Sequence, residues 1–152
     1  MMIRQIEPKD VAAVMDLIRG LAEYERDLAS VKNTTERLTA DIFEHHYCDS
    51  LVVEVDEVIV GFALYYTSYS TWKGPCLYLE DLFVLPEFRA KGLGSKLFDQ
   101  LVDLARVNGF ARMDWQIINW NQPAIDFYER KNAVIDREWL NGRIFFPENE
   151  EK

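Results

Sequence analysis

The chain is short of cysteine, histidine and long apolar runs, and each shortage excludes a class of protein. Its two cysteines, Cys48 and Cys76, form no CxxC pair, so neither a disulfide framework nor a zinc site is predicted. His45 and His46 have no metal or triad partners nearby in sequence. No segment approaches the roughly 20 apolar residues of a membrane span, and charges interrupt residues 1–10, where a secretory signal is apolar. We therefore expect a cytoplasmic protein with no metal and no membrane partner.

Basic residues are also scarce. The chain has 17 Lys and Arg against 26 Asp and Glu, which gives a formal net charge of −9. A field of this sign repels polyanions and attracts cations. We therefore expect no nucleic acid partner, and from net charge alone solubility explains the acidic balance more simply than a cationic ligand does.

The remaining composition is that of a soluble globular protein. The 152 residues are 49% hydrophobic and 28% charged, and a chain of this length buries a core without cross-links. No repeat, low-complexity segment or linker divides it. The sequence therefore predicts a single domain over residues 1–152.

Hydrophobic spacing predicts alternating strands and helices in the second half of the chain and a hairpin in the middle. Charged residues Asp56 and Glu57 divide the hairpin. The predicted strands are residues 2–8, the two arms of the hairpin, 77–85, 113–118 and 143–146, with a loop over 68–75. The predicted helices are residues 9–26, a shorter one within 33–46, 93–107 and one that starts near Asn121. This order predicts an α/β fold with a mixed, largely antiparallel sheet and helices on both faces.

A glycine turn links the strand over 77–85 to the helix over 93–107. Residues 89–94 read R-x-x-G-x-G. Gly92 and Gly94 let the backbone approach a ligand closely, and the amides of the first helical turn can bind phosphate oxygens. The turn is not a mononucleotide loop, and Leu97 stands where the dinucleotide fingerprint has its third glycine. From the residues alone, a tight connection with no ligand is an equal alternative.

The order strand, R-x-x-G-x-G turn, helix, strand and N-x-x-A-x-x-x-Y resembles the acetyl-CoA core of the GCN5-related N-acetyltransferases (GNAT) over residues 77–133. Four segments resemble the spermidine/spermine and thialysine acetyltransferase branch of that family: "LAEYE", "GFALYY", "YLEDLFVLPEFRAKGLGS" and "NWNQPAIDFYERKNA". The resemblance runs in order along most of the chain. It implies a GNAT-type fold and transfer of an acetyl group from acetyl-CoA.

The resemblance also implies where acetyl-CoA binds. Its pyrophosphate would lie on the turn and its pantetheine arm would pair like an extra strand with the backbone of residues 82–84. The implied cofactor-binding residues are Leu82, Phe83, Val84, Arg89, Ala90, Lys91, Gly92, Leu93, Gly94, Ser95 and Asn121. Arg89 and Lys91 either neutralise phosphate charge or are solvated turn residues. Asn121 either holds the cofactor arm or simply caps a helix.

Two catalytic residues follow from the same resemblance. An amine attacks a thioester only as the free base, and an ammonium group with a pKa near 10.4 must first lose a proton. The resemblance implies that Glu80 is the base that removes this proton. It also implies that Tyr128 is the acid that protonates the leaving thiolate. The alternative for Tyr128 is an aromatic residue that packs a helix.

The implied acceptor is a small cationic amine, either a polyamine or diamine or a thialysine-like amino acid. The matching acceptor-binding residues are Tyr24, Glu25, Glu80 and Asp81. In an ideal strand Glu80 and Asp81 point to opposite faces, unless a bulge redirects one of them. We expect direct transfer in a ternary complex.

Departures from the family pattern leave alternatives. Ala90 and Asn132 stand where glycine is usual, and the register of residues 136–146 with the family is unsettled. Acetylation of a protein lysine or N-terminus, or a non-catalytic acyl-CoA-binding module, would also fit part of the pattern. The resemblance further implies a homodimer.

Overall fold

The computed structural model describes residues 1–150, which form two compact units: residues 1–115, and the remainder from residue 116. The first unit contains a five-stranded sheet in the order β1-β2-β3-β4-β5. Neighbouring strands are antiparallel except for β4 and β5, which are parallel. The strands are β1 (Met2–Gln5), β2 (Asp49–Val55), β3 (Val58–Ser70), β4 (Gly74–Val84) and β5 (Met113–Asp114).

Four α-helices belong to this first unit, in addition to short 3-10 turns at Pro8–Asp10 and Leu28–Ser30. The helices are α1 (Val11–Tyr24), α2 (Thr35–Phe43), α3 (Pro86–Arg89) and α4 (Leu93–Val107). Thr34 caps α2, because its side chain accepts a hydrogen bond from the Arg37 amide at 3.1 Å. No helix in the described part of the chain has both the length and the apolar character needed to cross a bilayer.

The sheet has a packed layer on each face. Apolar side chains of α1 and α2, among them Val14 and Ile42, share one core cluster with Val52, Phe62, Leu64 and Phe83 of the strands. We call this side of the sheet the α1 face. Helix α4 contacts β2, β3 and β4 and buries a separate set of leucines. The mixed, largely antiparallel sheet with helices on both faces is therefore confirmed.

The strands β3 and β4 are longer than predicted. The loop expected over 68–75 is mostly strand, because Tyr69 pairs with Pro75 and Ser70 pairs with Gly74. The connection is reduced to a turn over residues 71–73. The β2–β3 turn lies at Asp56 and Glu57 as predicted, with φ of 49° and 64°.

Two other predicted strands are shortened or absent. The strand expected over 113–118 pairs only at Met113–Asp114. The final strand expected over 143–146 is wrong, because the second unit, in its described part, has only α5 (Gln122–Arg130) and a 3-10 turn at Pro147–Asn149. A segment with strand propensity forms no ladder of backbone hydrogen bonds when no neighbouring strand pairs with it.

Candidate active site

A β-bulge lies in β4 at the two acidic residues. Leu64 of β3 pairs with Asp81, whereas the next residue, Tyr65, pairs with Leu79, so Glu80 is an extra residue in the ladder. The simple alternation that separates Glu80 from Asp81 therefore does not hold here. The expectation for an ideal strand, that Glu80 and Asp81 face opposite sides, is wrong because the bulge redirects one of them.

The pairing register places both acids on the α1 face. Asp81 lies opposite Leu64, which belongs to the α1-face core. Tyr66, two residues beyond Leu64, lies on the same face and pairs with Tyr78. Glu80 is two residues from Tyr78 and so shares that face as well. The α1 face thus carries two adjacent carboxylates at its β4 edge.

A third carboxylate comes from the end of α1. Tyr24 is the last residue of this helix, and Glu25 follows it with its amide bonded to the Leu21 carbonyl. Burial raises the pKa of Glu25. Burial, followed by the charges of Glu80 and Glu25, raises the pKa of Asp81 to about 7. We call Glu25, Glu80 and Asp81 the acidic cluster.

A pair of tyrosines adjoins the acidic cluster. The rings of Tyr66 and Tyr78 stack with their centroids 5.0 Å apart. Burial and the charge of Glu80 raise the pKa of Tyr66. Sequence reasoning missed this pair as site residues, and the signal available was the position of Tyr78 two residues before Glu80. Together they form an aromatic surface beside negative charge, which suits a cationic ligand.

A cavity of about 500 Å³ adjoins the tyrosine pair, because Tyr66 also lines it. Its other lining residues include Phe43 at the end of α2, His46 beyond that end, and Asp49 at the start of β2. None of the residues predicted for the site lines it. We therefore place the candidate site at the bulge and the turn that follows, not in this cavity.

The outer edge of β4 is open where the pantetheine arm is predicted to bind. Strand β5 pairs with β4 only at Leu77 and Tyr78, so within the described residues no strand borders residues 82–84 on that side. On the inner side β3 packs tightly, because a Cβ built on Gly61 would lie 3.0 Å from the Phe83 carbonyl oxygen. Because β3 holds the inner side of β4 in place, the open outer edge of β4 can bind an amide-bearing chain.

The glycine turn forms the start of α4. Gly92 is its N-cap with φ of 71°, a left-handed conformation that glycine adopts without strain, and no side chain caps the helix. The first helical hydrogen bond runs from the Lys96 amide to the Gly92 carbonyl at 3.1 Å. The amides of the first turn, including those of Leu93 and Gly94, therefore lack helical acceptors. This end of α4 carries positive partial charge and suits a phosphate.

The two cations of the turn have different surroundings. The Arg89 guanidinium lies over the rings of Tyr24 and Phe83, at 5.5 and 5.2 Å, and its Nε donates to the Val84 carbonyl at 2.8 Å. Lys91 is exposed, with its Nζ 5.1 Å from the centre of the Phe88 ring. Arg89 therefore braces the end of β4, and Lys91 is the cation that extends from the turn.

The other two predicted site residues lie in the second unit. Asn121 caps α5, since its Oδ1 accepts the Ala124 amide at 3.3 Å. Tyr128 is buried on α5, and its ring meets that of Phe127 edge-on at 5.1 Å. Asn132, in the place where glycine is usual, has φ of 65°, so asparagine does adopt the left-handed conformation there.

The residues present fit acetyl-CoA. The open edge of β4 offers backbone groups to an amide-bearing arm, the start of α4 offers amides to phosphates, and Lys91 adds a cation. The acidic cluster lies on the same strand, immediately before this edge. The arrangement can therefore bring a cationic amine and a phosphate-bearing thioester to one strand.

The chain is similar in sequence to known acetyltransferases. The chain is 39% identical over 141 residues to a thialysine N-epsilon-acetyltransferase of Bos taurus, covering 87% of this chain and 83% of that protein. It is 32% identical over 142 residues to a spermidine/spermine N(1)-acetyltransferase-like protein 1 of Homo sapiens, covering 87% of this chain and 20% of that protein.

The fold is shared with solved structures. The structure of a possible acetyltransferase from Clostridium difficile 630 superposes with a TM-score of 0.80 at 20% identity, covering 95% of this chain and 98% of that one. The model of the acetyltransferase (GNAT) family matches residues 14–133. That match spans most of the chain, and the chain belongs to the GNAT family of acetyltransferases.

Proposed function

We propose that the chain is an acetyl-CoA-dependent N-acetyltransferase acting on a primary amine of a small cationic acceptor, with residues 1–152 as one catalytic domain. The acceptor class is a polyamine, a diamine or a thialysine-like amino acid. The observation that supports it most directly is the acidic cluster beside the open edge of β4. The relatives named for thialysine and spermidine/spermine acetylation support the same acceptor class.

The donor is held by the strand edge and the turn. Backbone groups of residues 82–84 pair with the pantetheine arm, and residues 89–95 surround the pyrophosphate, with Lys91 as the phosphate-facing cation. Asn121 contributes at the start of α5, in addition to its capping bond. When bound, acetyl-CoA supplies the thioester that is attacked.

The acceptor is held by opposite charge. A diamine or thialysine-like amino acid presents one amine to react and a second positive charge. Tyr24 and Glu25 at the end of α1 bind the second charge, and Asp81 adds to the negative field at the bulge. The stacked pair Tyr66 and Tyr78 forms an apolar wall for the intervening methylene groups.

Two side chains move protons. Glu80 is exposed on the α1 face and takes a proton from the bound ammonium, directly or through water. The free amine then attacks the thioester carbon directly in a ternary complex. Tyr128 donates a proton to the departing sulfur, a role open to a phenol.

Several finer properties belong to the same proposal. Six large apolar side chains are exposed within residues 134–146, which supports a homodimer that covers them: Val134, Trp139, Leu140, Ile144, Phe145 and Phe146. Cys48 and Cys76 are both free, which fits a reducing, cytoplasmic location. The net charge of −9 disfavours nucleic acid as a partner.

An amine panel tests the function. Purified protein is mixed with acetyl-CoA and, in turn, with diamines, polyamines, thialysine, lysine, monoamines and lysine-containing peptides, and thiol release is followed. Release with the small dications and not with the peptides supports the proposal. Preference for peptides would move the acceptor to a protein amine, and acetyl-CoA binding without release for any amine would identify a non-catalytic binding module.

A further inference from the structure

The bulge in β4 separates two carboxylates by environment although it places them on one face. Glu80, the extra residue, is exposed, whereas Asp81 is partly buried opposite Leu64. Two carboxylates with different surroundings can have different roles: one can hold a cation and the other can receive its proton. The surroundings of Asp81 therefore decide which task it has.

The groups that face Asp81 are acidic or neutral. From its own strand comes Glu80 and from the end of α1 comes Glu25, and the charges of both raise its pKa, while Tyr66 of β3 senses the charge of Glu80. In the described part of the chain, no group forms a hydrogen bond or ion pair with the Asp81 carboxylate. A carboxylate with a purely structural role would have such a partner.

The cation that follows the acidic cluster at the end of this strand is engaged elsewhere. Arg89 follows β4 by five residues, lies over the rings of Tyr24 and Phe83 and donates to the Val84 carbonyl. It forms no ion pair with the acidic cluster in the residues that the structure describes. The negative charge of the cluster is left for an external cation to balance.

Resting on the proposed function, we infer that Asp81 is a further catalytic residue, the final acceptor of the proton that leaves the substrate ammonium, while Glu80 holds that ammonium and passes its proton on. In balance, an N–H bond of the ammonium breaks, its proton ends on the Asp81 carboxylate, and the freed nitrogen lone pair forms the C–N bond. The C–S bond of the thioester breaks, Tyr128 gives its phenolic proton to the departing thiolate, and the second proton that the nitrogen loses as the amide forms returns to the Tyr128 phenolate.

The raised proton affinity of Asp81 suits this task. Burial and the neighbouring charges of Glu80 and Glu25 place its pKa at about 7. A general base is most effective when its pKa lies near the working pH, because it is then both ionised and a good proton acceptor. Below that pH, Asp81 is protonated in the free enzyme and transfer is blocked.

The test is the pH profile of kcat/KM for a diamine in three proteins. The wild type is expected to lose activity as pH falls through about 7. Asp81→Asn should remove this acid limb and lower kcat at least tenfold. Glu80→Gln should lower kcat because the relay to Asp81 is lost, and its remaining activity should keep the limb at a lower pH, because loss of the Glu80 charge makes ionisation of Asp81 easier. The acceptor ammonium titrates near 10.4 and does not overlap this limb.

Controls separate folding from chemistry. Asp103→Asn removes an exposed acid of α4 and should leave the profile unchanged. Thermal melts and acetyl-CoA binding confirm that Asp81→Asn is folded, and the Glu80→Gln shift tests the inference without altering Asp81. An acid limb that persists in Asp81→Asn and disappears in Glu80→Gln would overturn the inference and leave the proposed function intact. Absence of turnover in the wild type for every amine would instead overturn the proposed function, and this role with it.

Discussion

Glu80 and Asp81 are consecutive in the chain, yet both lie on the α1 face of the sheet, because Glu80 is the extra residue of a bulge between the pairs Leu64–Asp81 and Tyr65–Leu79. A regular strand would have sent one of them toward α4. Together with Glu25 they form a site with three acids and no ion-paired cation among the described residues. Such a site should discriminate acceptors by charge.

Glu25→Gln is therefore expected to weaken binding of dications selectively. The KM for a diamine should rise about tenfold, which corresponds to roughly 1.4 kcal/mol, while the KM for a monoamine changes little. The measurement is the ratio of the two KM values. Glu23→Gln, an exposed acid two residues earlier in α1, is the matched control and should leave the ratio unchanged. Equal losses for both amines would contradict the role of Glu25.

Local signals were enough to predict the parts of the structure that depend on consecutive residues. Helix α4 runs over Leu93–Val107, as its apolar spacing predicts, and the glycine turn starts it. The turn at Asp56 and Glu57 is also correct, because charged residues interrupt two apolar runs there.

Features set by partners far away in sequence could not be predicted in the same way. The bulge at Glu80 depends on the register of β4 against β3, and the stacking of Tyr66 on Tyr78 depends on the same register. The apolar run Ile144–Phe146 has strand propensity, but a strand also needs a neighbour. The features that the sequence could not reveal are therefore mainly those that depend on which strands pair and in which register.

Tyr128→Phe is expected to slow turnover with little effect on binding. The variant keeps the ring that meets Phe127 and removes only the hydroxyl that is proposed to protonate the leaving thiolate. We expect kcat to fall about 100-fold, with the KM values for both substrates nearly unchanged. Steady-state kinetics measure this, and Tyr69→Phe, at an exposed position on β3, is the control. Unchanged kcat would assign Tyr128 to packing alone.

Gly61→Ala is expected to damage both stability and donor binding. The new Cβ would lie 3.0 Å from the Phe83 carbonyl oxygen and from Val84 Cγ2, so β4 must move away from β3. We expect a loss of about 2 kcal/mol in the free energy of unfolding and a raised KM for acetyl-CoA, because residues 82–84 form its proposed docking edge. Gly142→Ala, with open space around it, should change neither. Chemical denaturation and kinetics would check both effects.

The buried carboxylate of Asp10 should make stability depend on pH. Its oxygens lie 2.7 and 3.1 Å from the Arg4 guanidinium, and one also accepts the Glu7 amide at 2.8 Å. The hydrogen bonds from Arg4 hold its pKa below the usual range. Since its pKa is lower in the folded state, this stabilisation is fully present above the unfolded pKa of about 3.9 and is lost as pH falls through the folded pKa.

Asp10→Asn tests this expectation. The substitution should lower the free energy of unfolding by about 2 kcal/mol at neutral pH, and the deficit relative to wild type should shrink below about pH 4. Asp16→Asn breaks the exposed pair with Arg19 and should cost less than about 0.5 kcal/mol at any pH. A deficit for Asp10→Asn that does not change with pH would show that the charge of Asp10 contributes nothing to stability.

The exposed apolar side chains of residues 134–146 should be covered in a homodimer. Leu140 and Ile144 are 94% and 83% exposed, and a run of such residues is costly to leave in water. Light scattering should therefore give a mass near twice 17.8 kDa for the wild type. Leu140→Glu combined with Ile144→Glu should shift the mass to that of one chain, because buried charges without partners oppose association. Val107→Glu, at an equally exposed position that ends α4, should leave the dimer intact, and a double variant that remains dimeric would place the interface elsewhere.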